Sequence, residues 1–81
     1  MEKRIRLVHY ALFRDARGQD GEAVTTHAQT PCELFDELGF GAAYPSPTAW
    51  IRVAINDDFA PWDAQLADGD TVVFIAPTAG G

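Results

Sequence analysis

Only one of the 81 residues is cysteine, only six are lysine or arginine, and no apolar run approaches the length of a membrane span. Each shortage excludes something. A lone thiol, Cys32, forms no disulfide within the chain and builds no zinc or iron–sulfur site without other ligands, which suits a reducing compartment. Six basic against twelve acidic residues give a formal net charge of −6. That is the wrong sign for a partner held through its phosphates, so no nucleic acid is expected. With no long apolar segment, and no cleavage site after Met1-Glu2-Lys3-Arg4-Ile5-Arg6, a cytoplasmic protein with no membrane partner is expected.

The sequence does carry enough apolar content, 47% hydrophobic in 81 residues, for one small domain with a modest core. Ile5, Leu7, His9, Ala11 and Phe13 alternate with Arg4, Arg6, Val8, Tyr10 and Leu12, which predicts a first strand running to Phe13. Arg14 to Arg17 suits a helical turn. Gly18-Gln19-Asp20-Gly21 then signals a turn before a second strand, Glu22 to His27, and the two strands form a hairpin. Thr30-Pro31-Cys32-Glu33 is a capping box, with Thr30 as N-cap, Pro31 at the first helical position and Glu33 reaching back to the cap amide. Leu34, Phe35 and Leu38 form the buried stripe of that helix, and Gly39 ends it.

From Phe40 to Ala49 two prolines and no period predict a loop. Trp50 to Ile55 is strand-like, Asn56-Asp57-Asp58 is turn chemistry, and Phe59 onward pairs back. Ala67-Asp68-Gly69-Asp70 feeds a last strand, Thr71 to Ala76. The order ββαβββ predicts an α+β fold in which a mixed sheet covers one helix. The helical crossover lets the last strand lie beside the first and parallel to it. This is a β-grasp, or ubiquitin-like, arrangement, with a domain over residues 1–77 and a flexible tail over 78–81.

The chemistry is expected at that tail, Thr78-Ala79-Gly80-Gly81. Two glycines close a chain by chance roughly once in 200 at average usage. Without a Cβ, a Gly-Gly end threads a tunnel too narrow for side chains and presents its carboxylate at a buried reaction centre. Ordering four tail residues costs about 4 to 8 kcal/mol, so the domain must supply docking contacts near the last strand. Phe74 is an anchor candidate because aromatic residues dominate interfaces, but strand alternation equally allows it to be core. Ile75 shares that ambiguity with the faces exchanged.

Other residues compete as sites. Cys32 stands in the first turn of a helix, where the dipole can lower a thiol's pKa and make a persulfide site; the expected role is packing as a small hydrophobe. His9 and His27 lack ligand-spaced partners, and no metal site is expected. Asp57-Asp58 and Asp68-Gly69-Asp70 are too short for a calcium loop and read as turns. Arg14 with Asp15 is a surface pair worth about 0 to 1 kcal/mol. Trp50 and Trp62 are expected to pack at the sheet or its edge, with Trp62 beside Pro61 a partner contact if exposed.

Four blocks carry a family resemblance: Ala11-Leu12-Phe13-Arg14-Asp15; Val53-Ala54-Ile55-Asn56; Leu66-Ala67-Asp68-Gly69-Asp70-Thr71-Val72; and Phe74-Ile75-Ala76-Pro77 running into Gly80-Gly81. The chain resembles the small subunits of molybdopterin synthase, sulfur carriers of the ubiquitin-like superfamily, nearly end to end. The resemblance implies that Gly81, with Gly80 before it, is the reacting end, adenylated by an ATP-using activating enzyme and converted to a thiocarboxylate by a sulfur donor protein. The tail then delivers sulfur to cyclic pyranopterin monophosphate in the large synthase subunit. The partner contacts fall to Phe74, Ile75, Pro77, Thr78 and Ala79. The carrier acts as a co-substrate with no turnover of its own, binds no cofactor, and assembles as two small and two large subunits. Two other readings stay open: a related carrier for thiamin thiazole synthesis or a protein-conjugating modifier, and a non-covalent ubiquitin-like module.

Overall fold

A computed structural model describes residues 2–77. The elements run β1 (Lys3–Val8), α1 (Ala11–Arg17), β2 (Gly21–Thr26), α2 (Pro31–Glu37), α3 (Phe40–Ala43), a 3-10 turn (Pro47–Ala49), β3 (Arg52–Ile55), β4 (Asp58–Ala60) and β5 (Thr71–Ile75). The five strands form one sheet in the order β2-β1-β5-β3-β4. β5 pairs in parallel with β1, Arg6 opposite Thr71 and Val8 opposite Val73, and antiparallel with β3. This is the expected β-grasp topology, with the last strand at the centre of the sheet.

The first strand is shorter than its alternation suggests. It ends at Val8; Tyr10 takes an extended backbone and caps α1, and Gly18 closes that helix at φ 73°, its amide donating to the Arg14 carbonyl. The cause is tertiary. Phe13 is the one buried residue of α1, and its ring lies within an aromatic cluster with Phe35, Phe40, Tyr44 and Phe74. Strand spacing would have left that ring on the line of β1, whereas one helical excursion drops it into the core. Arg14 and Arg17 fall in the last turn of α1, where cations complement the helix dipole.

α2 starts as its capping chemistry requires. The Thr30 hydroxyl accepts from the Glu33 amide at 3.2 Å, and Pro31 fills the first turn. The Glu33 carboxylate reaches back to the amide of Gln29 at 3.0 Å, one residue before the position expected. Gly39, at φ 87°, reverses the chain. The following segment is not all loop: Phe40 is buried, and its insertion winds Phe40–Ala43 into a single helical turn.

The core lies between the sheet and the helices. Ile5, Leu7, Val53, Val72 and Phe74 face Phe13, Leu34, Phe35 and Phe40, all at 4% exposure or less. On the β3–β4 turn Asn56 and Asp57 both adopt positive φ, 52° and 73°, the geometry that two-residue hairpins favour. Asn56 also clasps the start of β5: its Nδ2 donates to Asp70 Oδ1 at 2.9 Å, and its Oδ1 accepts from the Thr71 amide at 2.9 Å. Asp68 Oδ1 accepts from the Arg4 amide at 2.7 Å, and Asp70 Oδ2 from the Ala67 amide at 2.8 Å. Both acidic pairs therefore do turn work. Among the described residues no group of three or more His, Cys, Asp or Glu is placed to hold a metal, and no helix is long and apolar enough to cross a membrane.

Candidate docking face and tail exit

β5 delivers the chain toward its end from the middle of the sheet. Thr78, Ala79, Gly80 and Gly81, the residues to which the sequence assigns the chemistry and part of the docking, lie outside the described residues. What is described is the ground from which they leave.

Alternation along β5 decides between its two candidate anchors. Phe74 is 1% exposed, stacked on Trp62 with centroids 5.5 Å apart and edge-on to Phe35 at 5.0 Å. Its ring belongs to the core and offers nothing to a partner, which corrects the anchor assignment. Ile75 points the other way, half-buried on the outer face opposite Arg52. The same register places Val8, Val73 and Ala54 on that face, and Phe59 opposite Ala54.

The outer face is therefore apolar where most sheet surfaces with solvent access are polar. Phe59 is 68% exposed and Tyr10 60%, large values for aromatic side chains, and no element among the described residues covers them. The Arg52 guanidinium lies over the Phe59 ring, 4.9 Å from its centroid. Arg4 and Arg6, on alternate positions of β1 to Ile5 and Leu7, are exposed on the same side. Half of the six basic residues of this acidic chain thus frame one apolar face.

A cleft of about 750 Å³ opens at the edge of this face, lined by Trp50, Arg52, Phe59, Trp62, Ile75 and Pro77 among others. Pro77, the last described residue, forms part of its wall, so the tail departs from the cleft's rim. Trp62 is half-buried, its Nε1 donating to the Ile51 carbonyl at 3.0 Å. Trp50 is 37% exposed. A smaller depression of about 230 Å³ lies between Tyr10, Asp57 and Phe59. Sequence reasoning missed Tyr10, Arg52 and Phe59; the signal available was the alternation of Arg52 to Ile55, which puts Arg52 and Ala54 on the face opposite the core.

The remaining candidates are not at this face. Cys32 is exposed, against the expectation of packing: in α2 the inward positions go to Pro31, Leu34 and Phe35, and Cys32 falls between them. Arg14 lies 3.9 Å from Asp15 and 3.8 Å from Asp20, with all three side chains at least half exposed. His9 is 2% exposed, with Nε2 2.8 Å from Glu22 Oε2; the carboxylate can only accept, so the ring nitrogen carries the proton. Arg17 completes the cluster with a two-pronged bond to both Glu22 oxygens, 2.7 Å each. That bond, opposed by burial and helped by His9, holds the Glu22 carboxyl down at about 2 and raises the Arg17 guanidinium. The cluster ties α1 to β2.

Residues 10–81 match the ThiS family. The chain belongs to that family. It is a ubiquitin-like protein of the ThiS/MoaD sulfur-carrier kind, a group whose members do not catalyse reactions themselves. Solved structures agree on the fold. SAMP1 from Haloferax volcanii superposes with a TM-score of 0.75 at 22% identity, covering 96% of this chain and 99% of that one. A Pyrococcus furiosus protein assigned as molybdopterin converting factor, subunit 1, gives 0.73 at 22% identity, covering 94% and 99%. In a complex of subunits 1 and 2 of molybdopterin-converting factor from Helicobacter pylori, the similar chain gives 0.58 at 19% identity, covering 96% and 99%. No curated protein matches.

Proposed function

We propose that this chain is the sulfur carrier of molybdopterin synthesis, with Gly81 as the reacting end. A carboxylate is a poor electrophile, so the Gly81 carboxyl is first adenylated by an ATP-using activating enzyme; hydrosulfide supplied by a donor protein then adds to the acyl carbon, the bond to AMP breaks, and a thiocarboxylate remains. The tail enters the large synthase subunit, where Gly80 and Gly81 pass a channel that excludes side chains and water, and the sulfur attacks cyclic pyranopterin monophosphate. Two deliveries build the dithiolene. The synthase is a heterotetramer of two small and two large subunits.

Docking is the domain's task. Ile75 and Pro77, with Phe59 and Trp62 around the cleft, bury apolar area against the partner and offset the cost of ordering Thr78 to Gly81, about 4 to 8 kcal/mol. Thr78 and Ala79 complete the contact through their backbone, which pairs with a partner strand without side-chain demands. The observation that carries this reading is the position of Pro77: the tail leaves from the rim of an apolar cleft on an uncovered sheet face.

The test is an intact mass of the protein after incubation with activating enzyme, ATP and sulfur donor. A shift matching replacement of one oxygen by sulfur, mapped to Gly81, is expected. Sulfur on Cys32 instead would favour a persulfide relay, and an unchanged mass with an active loading system would favour a non-covalent module. The family match itself supports a second reading, a related carrier for thiazole synthesis or a modifier. Complementation separates them: rescue of molybdoenzyme activity supports the first reading, and rescue of thiamin auxotrophy the second.

A further inference from the structure

An activated acyl end is open to capture by any amine that reaches it, including the chain's own. The sequence contains one lysine, Lys3. It opens β1, and its position relative to the tail exit follows from the register. Arg6 lies opposite Thr71 in the parallel pair; Lys3 is three residues before Arg6, and Ile75 four after Thr71. Seven strand steps at about 3.3 Å separate them by about 23 Å.

Pro77 lies further along. Ile75 is opposite Arg52, and Pro77 shares the cleft with Trp50 and Ile51, the residues before Arg52 in the antiparallel neighbour. The chain thus keeps moving away from Lys3 after β5. From Pro77, four residues reach at most about 14 Å when fully extended, and a lysine stem adds roughly 6 Å. The sum falls short even if the tail doubles straight back. Lys3 is also on the wrong side: it shares the inward parity of Ile5 and Leu7, and its Nζ donates to the Ala28 carbonyl at 3.2 Å, half-buried.

We infer that the fold keeps the activated Gly81 acyl group out of reach of the chain's only lysine, so that self-acylation at Lys3 is closed within one molecule and open only between two. This rests on the reading of Gly81 as an activated end. The reaction avoided is simple: the lysine nitrogen adds to the Gly81 carbonyl carbon, the bond to the leaving group breaks, and an amide remains while the leaving group departs with the amine's proton. Denying it preserves the acyl group for sulfur. Any Gly81-to-Lys3 linkage is then a head-to-tail chain of molecules, never a ring.

A Gly81 thioester prepared by thiol cleavage of an intein fusion tests this without an activating enzyme, so its outcome does not depend on which pathway the carrier serves. At low protein concentration the unaltered chain is expected to show no ring closed at Lys3 by mass and fragmentation, and Lys3→Arg to leave the thioester lifetime unchanged. Thr48→Lys puts an amine on an exposed turn that lines the same cleft as Pro77. That variant should close a ring and consume its thioester at least about tenfold faster, as proximity raises the effective concentration. A Lys3 ring in the unaltered chain overturns the inference. So does a longer lifetime in Lys3→Arg, or a Thr48→Lys chain that stays open while hydroxylamine still consumes its thioester.

Discussion

Trp62 stacks on Phe74, ring planes 23° apart and centroids separated by 5.5 Å, so a residue of the β4–β5 connection shields the central strand next to the tail exit. One side of Trp62 faces this core and another lines the cleft. Interior and docking surface meet at one side chain.

Phe74 and Ile75 should therefore separate stability from binding. Phe74→Ala is expected to cost about 3 to 5 kcal/mol in chemical denaturation, the range for emptying a packed aromatic site. Ile75→Asp, at a half-buried strand position, should cost less, about 1 kcal/mol, and weaken binding to the proposed partner, the large synthase subunit, by about 2 kcal/mol, roughly 30-fold. Calorimetric titration reads the second effect. Equal binding by wild type and Ile75→Asp would remove the outer face from the docking surface.

Phe59, 68% exposed, is the complementary case. Phe59→Ala should change stability by no more than about 0.5 kcal/mol, as is usual for surface sites, yet reduce partner affinity. It also frees Arg52 from the ring it covers.

The Glu22 cluster predicts a pH dependence of definite sign. Its carboxyl titrates at about 2 in the folded protein against an ordinary 4.5. A depressed folded value contributes stability that is fully present above about pH 5 and lost as pH falls from there toward 2. At about 1.4 kcal/mol for each tenfold change in proton affinity, the contribution is roughly 3 to 4 kcal/mol. Unfolding free energy should fall across that window, and Glu22→Gln should flatten this part of the curve while lowering stability near neutrality.

Asn56→Ala removes both side-chain bonds to Asp70 and Thr71 and leaves a non-glycine residue at φ 52° without the local bonding that suits asparagine there. A loss of about 1 to 2 kcal/mol is expected. Asn56→Gly, which relieves the backbone but not the lost bonds, should recover part of it.

Extending the chain by one residue beyond Gly81 is expected to abolish thiocarboxylate formation while leaving docking largely intact. Mass spectrometry and binding on the same sample read both. Retained sulfur loading would show that Gly81 is not the acyl donor.

The legible parts of the fold were those encoded locally. Thr30, Pro31 and Glu33 specify where α2 begins through bonds spanning at most four residues, and Asn56-Asp57 specify a turn through tolerance of positive φ. The parallel pairing of β1 with β5 followed from the length of the crossover. α1 was not legible beyond its last turn, because with Phe13 alone buried it has no apolar stripe to repeat; the helix exists for what that ring meets across the core. Phe74 and Ile75 are both apolar, so composition left their faces ambiguous until the register resolved them. At the candidate site the tail was conspicuous, but the apolar outer face was hidden among residues that a strand pattern alone assigns to either side.

The central position of β5 has a mechanical consequence. Its neighbours grip it from both sides, β1 over Arg6 to Val8 and β3 over Arg52 to Ile55. A pull on the tail runs along the strand, so both ladders resist in shear and their hydrogen bonds must yield together; an edge strand would peel away bond by bond. An enzyme that draws the terminus into a deep channel, or a machine that tugs on it, works against a strand held along both of its edges.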